Sequence, residues 1–161
     1  MRFVGVSGLV VGVLVTASLW AAAASGATSA CKATESDGFG PWAQGPRGAP
    51  PRRSVFGSGF ALSGKVLRAG DCKPVKAAVV EVWQETPGRG YVRRGRASVV
   101  TDGTGAFRFV GPVPRGEGGG LAGHIHIRVT HGSFEEVAVT HVVAQGSRRA
   151  RLTLVLTYSE L

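Results

Sequence analysis

Acidic residues are scarce. The 161-residue chain has ten Asp and Glu against nineteen Lys and Arg, a formal net charge of +9. Charged residues of either sign make up only 18% of the chain, while Gly (25) and Pro (8) are abundant. That balance excludes a coiled coil or long-helix protein, which needs many more Ala, Glu, Lys and Leu and fewer breakers. Hydrophobic residues reach 43% and recur in patterned runs, so the body of the chain is not disordered. There are only two Cys and two Tyr, and the length allows a single domain.

Met1-Arg2 precedes an uncharged, apolar run from Phe3 to Ala24, followed by small residues through Ala30. A basic start, an apolar stretch and a small-residue cleavage site describe a secretory signal peptide over residues 1–30, cut near residues 27–30. The run is nearly long enough to span a bilayer, but Gly5, Gly8 and Gly12 weaken it, and a lipid anchor on Cys31 is a minor alternative. Export places Cys31 and Cys72 in an oxidising compartment. One disulfide is then expected, the alternative being two free thiols.

Residues 31–56 carry Pro41, Pro46, Pro50 and Pro51 and read as an extended arm. The domain proper, 57–161, is all-β. Phe60, Leu62 and Val66 share one parity, and Ala77–Trp83 is apolar enough for a strand buried on both faces. Ala97–Thr101 and Ala106–Val110 flank the turn Asp102-Gly103-Thr104-Gly105. His124–Thr130, Val137–Val143 and Ala150–Tyr158 follow, with Tyr158 on the apolar parity of the last and read as core. Six or seven short strands with no helix after residue 30 predict a β-sandwich. The glycine cluster at 116–120 does not open a helix and is not a phosphate loop.

His124-Ile125-His126 carries the chemistry. Residues two apart on a strand face one way, so both imidazoles project together as a pair of metal donors. A hairpin at residues 131–134 brings His141 back toward them. With Gly132-Ser133 as the loop His141 stands opposite His124; with Ser133-Phe134 it stands opposite His126. Either register places it on the same face, lining or joining the site, and a one-residue slip removes it. His131 lies at the turn and reads as a surface residue.

The ordered segments Leu62–Val66, Cys72–Val75, Ala78–Gln84, Gly90-Tyr91, Thr101–Phe109 and His124–His126 resemble the exported single-domain members of the intradiol ring-cleavage dioxygenases, the catechol and protocatechuate cleaving family. The resemblance covers about residues 31–145; the Trp83-Gln84, Gly90-Tyr91 and HxH elements carry it, while Thr101–Phe109 also suits transthyretin-like sandwiches. It implies a non-haem Fe(III) site with Tyr91, His124 and His126 as ligands, and a catechol-type aromatic substrate cleaved with O₂. The family's second tyrosine has no counterpart in residues 111–121, and its arginine before the HxH is also missing. Where the family tends to carry a glutamine, His141 stands. Three histidines and a tyrosine suit Cu or Zn as well as iron, and Glu117 is a further oxygen donor. Two alternatives therefore stand beside ring cleavage: the same fold binding metal without turnover, and a metal-free binding module.

Arg93-Arg94-Gly95-Arg96 and Arg148-Arg149-Ala150-Arg151 supply much of the charge. They suit an anionic cell-wall polymer or polysaccharide, or else simply solvated strand faces, and no nucleic-acid motif accompanies them.

Overall fold

The computed structural model describes residues 31–37, 49–86, 88–116, 120 and 122–160; residues 1–30 and Glu117, and with them the expected signal peptide and oxygen donor, lie outside these. Seven strands occur among the described residues: β1 Phe60–Arg68, β2 Val79–Trp83, β3 Arg96–Val100, β4 Ala106–Gly111, β5 His124–His131, β6 Phe134–Val142 and β7 Arg149–Leu156. They form two sheets, β4-β1-β7 and β3-β2-β5-β6, antiparallel except for the β1–β7 pair. The chain is a β-sandwich.

Alternation in the sequence builds the interior. Phe60, Leu62 and Val66 of β1, Phe107 and Phe109 of β4, and Leu154 and Leu156 of β7 face Val80 and Val82 of β2 and Ile125, Ile127 and Val129 of β5. The β3–β4 turn is closed by Asp102, whose Oδ1 accepts from Thr104 N, Thr104 Oγ1 and Ala106 N. Gly105 is required there: its φ is +72°, and a Cβ would lie 2.4 Å from the Val66 carbonyl oxygen.

Two pieces of the N-terminal arm cover the open sides. Thr34 donates its amide to Val155 O and accepts from Val155 N on β7; Ser36 and Asp37 bond Ala138 and Thr140 on β6. On the other side, residues 51–56 pair with Ser98 of β3 and Val110 of β4. Each piece spans an edge strand of both sheets, occupying backbone groups that would otherwise template association with another chain. The Cys31–Cys72 disulfide fixes the first piece to the turn after β1, with Cα atoms 5.3 Å apart.

The β5–β6 hairpin does not keep one register. At the turn His131 pairs with Phe134 around Gly132-Ser133, but further along Val129 pairs with Val137. One extra residue on β6 is absorbed as a bulge beside Glu135-Glu136. Every side chain beyond it changes face relative to the direct register. Thr140 therefore stands opposite His126, and His141 stands opposite Ile125. This corrects the expectation for His141: its side chain shares the face of Ile125, opposite to that of the two imidazoles.

Tyr158 is also corrected. The last strand ends at Leu156, and Tyr158 is 52% exposed, stacked on Phe134 and accepting a bond from Arg68. It is a surface residue, not core.

Candidate metal centre

Trp83 ends β2 fully buried, and the chain then crosses from Gln84 to Gly95 before returning as β3. This crossing carries Tyr91. Its conformation is set by Gln84 N donating to Gly95 O, by a tight turn closed between Thr86 and Gly90, and by a short 3-10 turn at Arg93–Gly95. Gly88 and Gly90 have φ of +68° and +64°, so the tight turn selects glycine. Arg53 of the arm donates to the carbonyl oxygens of Arg93, Arg94 and Arg96, clamping the segment after Tyr91. Gln84 Nε2 donates to Pro112 O across the top of the sandwich.

Held this way, the Tyr91 hydroxyl lies 3.0 Å from His124 Nε2 and 3.2 Å from His126 Nε2. Thirty-three and thirty-five residues of sequence separate the phenol from the two rings. The histidine rings stand 5.0 Å apart at 82°, so both Nε2 atoms point at one place. His126 is buried at 6% exposure, whereas Tyr91 and His124 are half-buried, leaving the centre open to solvent on one side.

A backbone carbonyl and a hydroxyl fix the rings from behind. His124 Nδ1 is 3.0 Å from Ala122 O. A carbonyl only accepts, so Nδ1 carries the proton and Nε2 presents its lone pair. His126 Nδ1 is 3.0 Å from Thr140 Oγ1, which can take either role; when it accepts, His126 Nε2 is bare as well. Trp83 stacks on His126 with centroids 5.4 Å apart at 18°. Beneath this row, buried Glu81 accepts from Arg96 Nε and, at 2.6 Å, from Arg128 Nη2, while the Arg128 guanidinium lies over Trp83.

This donor set fits a metal ion. Two ring nitrogens and one phenol oxygen, all of them metal-donor atoms, converge on one place. Ligands bound at about 2.0–2.1 Å to one ion and roughly at right angles lie about 3 Å apart, as these three atoms do. Histidine Nδ1–H held by a carbonyl or hydroxyl is the usual outer shell of a metal-bound imidazole. No group of three His, Cys, Asp or Glu side chains converges among the described residues, as expected once His141 faces away. A cleft of about 450 Å³ between Val113–Pro114, Ala122–Gly123 and residues 143–147 shares only Ala122, the partner of His124, with the surroundings of the centre.

Sequence reasoning did not find Thr140 or the Ala122 carbonyl. The first depends on the bulge, and the second is a backbone group without a sequence signal.

Comparison with solved structures decides the architecture. Hydroxyquinol 1,2-dioxygenase from Pseudomonas putida DLL-E4 matches with a TM-score of 0.60 at 16% identity, over 83% of this chain and 68% of that one. The dioxygenase domain of a dioxygenase–carbohydrate-binding protein fusion from Streptomyces sp. SirexAA-E matches at 0.60 and 17%, over 80% and 100%. This chain has the intradiol dioxygenase fold. An intradiol ring-cleavage dioxygenase from Tetranychus urticae matches equally well, at 0.60 and 17% over 79% of this chain and 95% of that one. No protein-family model matches the sequence, and no curated protein is significantly similar to it. Within the intradiol dioxygenase fold, then, Tyr91 rides the β2–β3 crossing and the two histidines open β5.

Proposed function

We propose that this chain is an exported intradiol dioxygenase-like protein that holds Fe(III) through Tyr91, His124 and His126 and cleaves a catechol-type aromatic ring with O₂. The observation that carries the reading is the approach of Tyr91 Oη to both Nε2 atoms within 3.2 Å. The phenolate is a hard donor suited to a ferric ion, and imidazole tolerates it. Iron there would supply Lewis acidity and a template on which an electron-rich aromatic diol becomes reactive to O₂.

The protein's own contributions follow from the contacts. Tyr91 would hold the ion as a phenolate, the hard anionic donor of the set. The Ala122 carbonyl and Thr140 hydroxyl hold the imidazoles in the tautomer that aims Nε2 inward. Trp83 seals the buried side of His126 against water and fixes its ring plane. Tyr91 and His124 are half-exposed, and a diol would reach the ion from that open side.

A second reading, metal binding without ring cleavage, is favoured by one observation. The chain has two tyrosines, and Tyr158 is stacked on Phe134, away from the centre. No second tyrosinate is available to assist substrate deprotonation, and residues 111–123 carry an arginine only at Arg115.

One set of measurements separates the readings. Purified protein from iron-replete medium is expected to contain iron and show a visible tyrosinate-to-iron charge-transfer band, which Tyr91→Phe removes. Oxygen uptake with catechols that vanishes in His124→Ala supports ring cleavage. Iron and colour without oxygen uptake supports the second reading. Colourless protein holding neither iron, copper nor zinc refutes both.

A further inference from the structure

The three-stranded sheet contains no acidic residue. Across Phe60–Arg68, Ala106–Gly111 and Arg149–Leu156 every ionisable side chain is Lys or Arg, whereas the other sheet carries Glu81, Glu135 and Glu136. The register gathers four of these cations on its outer face. Arg108, Ser63 and Arg151 form one rung; Lys65 and Thr153 lie in the next, and Ala61 and Arg149 on the other side. All four cations are exposed, and none makes an ion pair among the described residues. Asp102 is near enough to Lys65 to feel its charge, but its carboxylate is already occupied by three turn hydrogen bonds.

The second basic run behaves differently. Arg96 is buried against Glu81, so only Arg93 and Arg94 of that run reach solvent. Other exposed cations, such as Arg52, Lys76, Arg89 and Arg115, lie in loops and the arm, whereas β4-β1-β7 joins four on one face from three strands far apart in sequence.

The face has a shape as well as a charge. The outward residues of β1, Ala61 and Ser63, are small, and the strands beside them carry long arginines. Clefts of about 330 and 290 Å³ run along β1, the first past Lys65, Arg151 and Thr153 and the second past Arg108 and Arg149. Arg149 and Arg151 are about 7 Å apart along the strand, and Arg108 is about 10 Å away across the sheet, given ordinary strand spacings. Those separations are within the screening length of about 8–10 Å in physiological salt, so the four potentials reinforce one another.

We propose that this trough is a docking surface for an acidic polysaccharide, a glycan chain bearing repeated carboxylates, lying along β1. Arginine forks match carboxylates two oxygens at a time. Ser63 and Thr153 lie between the cations, where hydroxyl-bearing sugar units alternate with charge. The face offers no aromatic side chain, so it lacks the stacking platform that single-stranded nucleic acid uses. The proposal is independent of the metal centre, which lies on the other sheet.

The test is titration of the protein with polygalacturonate by calorimetry, with dextran and a single-stranded DNA oligomer as comparison polymers. Binding to polygalacturonate is expected to weaken steeply with added salt, with no binding to dextran. The variant R108Q/R149Q/R151Q is expected to lose about tenfold or more in affinity, while R93Q/R94Q changes it by less than about twofold. In the unmodified protein, polygalacturonate should shield Arg108, Arg149 and Arg151 from phenylglyoxal, with Arg93 and Arg94 still reacting. This readout does not depend on any variant folding. Unchanged affinity in the triple variant, equal loss in R93Q/R94Q, or absence of that shielding overturns the proposal. DNA bound as tightly as polygalacturonate would overturn the assignment of the partner.

Discussion

Replacing Cys31 and Cys72 with serine is expected to release the arm at residues 31–37 and to lower stability by about 4 kcal/mol. The disulfide closes a separation of 41 residues, for which the chain-entropy estimate is about 4 kcal/mol. The arm cannot hold itself in place without it. Gly70 N to Cys31 O, the two Thr34–Val155 bonds, the two bonds between Ser36–Asp37 and Ala138, and Thr140 N to Asp37 contribute about 1 kcal/mol each, somewhat more for the carboxylate. Fixing the backbone of residues 31–37 costs about 1–2 kcal/mol per residue, or about 7–14 kcal/mol together. The hydrogen bonds at best match the lower end, and the covalent tether supplies the margin. Hydrogen exchange gives the decisive readout. The amides of Ala138, Thr140 and Val155 donate to arm side chains, and in the double-serine variant they should exchange rapidly while Val82 and Ile127, central in their sheet, stay protected. The unfolding midpoint should fall by about 10 °C. Retained protection at those three amides would refute the reasoning.

Glu81→Gln removes the carboxylate that pairs with buried Arg96 and half-buried Arg128, and should cost about 3 kcal/mol in urea unfolding; a loss below about 1 kcal/mol would contradict a buried Glu81–Arg96 pair. Thr140→Val deletes the acceptor for His126 Nδ1 and should weaken metal affinity about 10- to 100-fold in chelator competition. Its effect on stability should stay near about 1 kcal/mol, with Thr140→Ser restoring the affinity. Partial burial pushes the His141 imidazole below its usual 6.5, so as pH falls the unfolded chain takes up a proton before the folded one does. Stability contributed by neutral His141 is therefore complete above 6.5 and declines as pH drops through the folded-state value. His141→Gln should make the stability profile flatter as pH falls below 6.5, and an unaltered profile would count against burial as the cause.

How much was legible follows from which forces act locally. The parity of Phe60, Leu62 and Val66, the apolar run before Trp83 and the Asp102–Gly105 turn each encode their own element, because alternation and turn chemistry are short-range. The pairing of Tyr91 with His124 and His126 was visible only through family resemblance, since nothing between Trp83 and Tyr91 specifies where the crossing lands. His141 was misplaced by a bulge. Glu135 and Glu136 have no composition that marks one, and a single inserted residue reverses the face of everything beyond it. Tyr158 kept the parity of a core residue but lies past the end of β7, where there is no facing strand to bury it. Arg96 looked like part of a solvent cluster because the sequence does not show that Glu81 stands beside its neighbour Trp83 on the adjoining strand.

The donor set of the proposed ferric site has an electrostatic consequence. One tyrosinate and two neutral imidazoles leave a trivalent ion with two uncompensated charges. Glu81 cannot supply the deficit, because Arg96 and Arg128 already occupy both of its oxygens. Nor can Tyr158, the chain's other phenol, which is bound to Arg68 and stacked on Phe134. Among the described residues these two leave the deficit unfilled, and at a half-exposed centre an anionic ligand would supply the remaining charge. A doubly deprotonated catechol carries two negative charges on adjacent oxygens, the amount lacking. A single tyrosinate would then hold the resting ion weakly and couple it strongly to a dianionic aromatic diol, so metal and diol would stabilise one another more than in a site already neutral before the diol arrives.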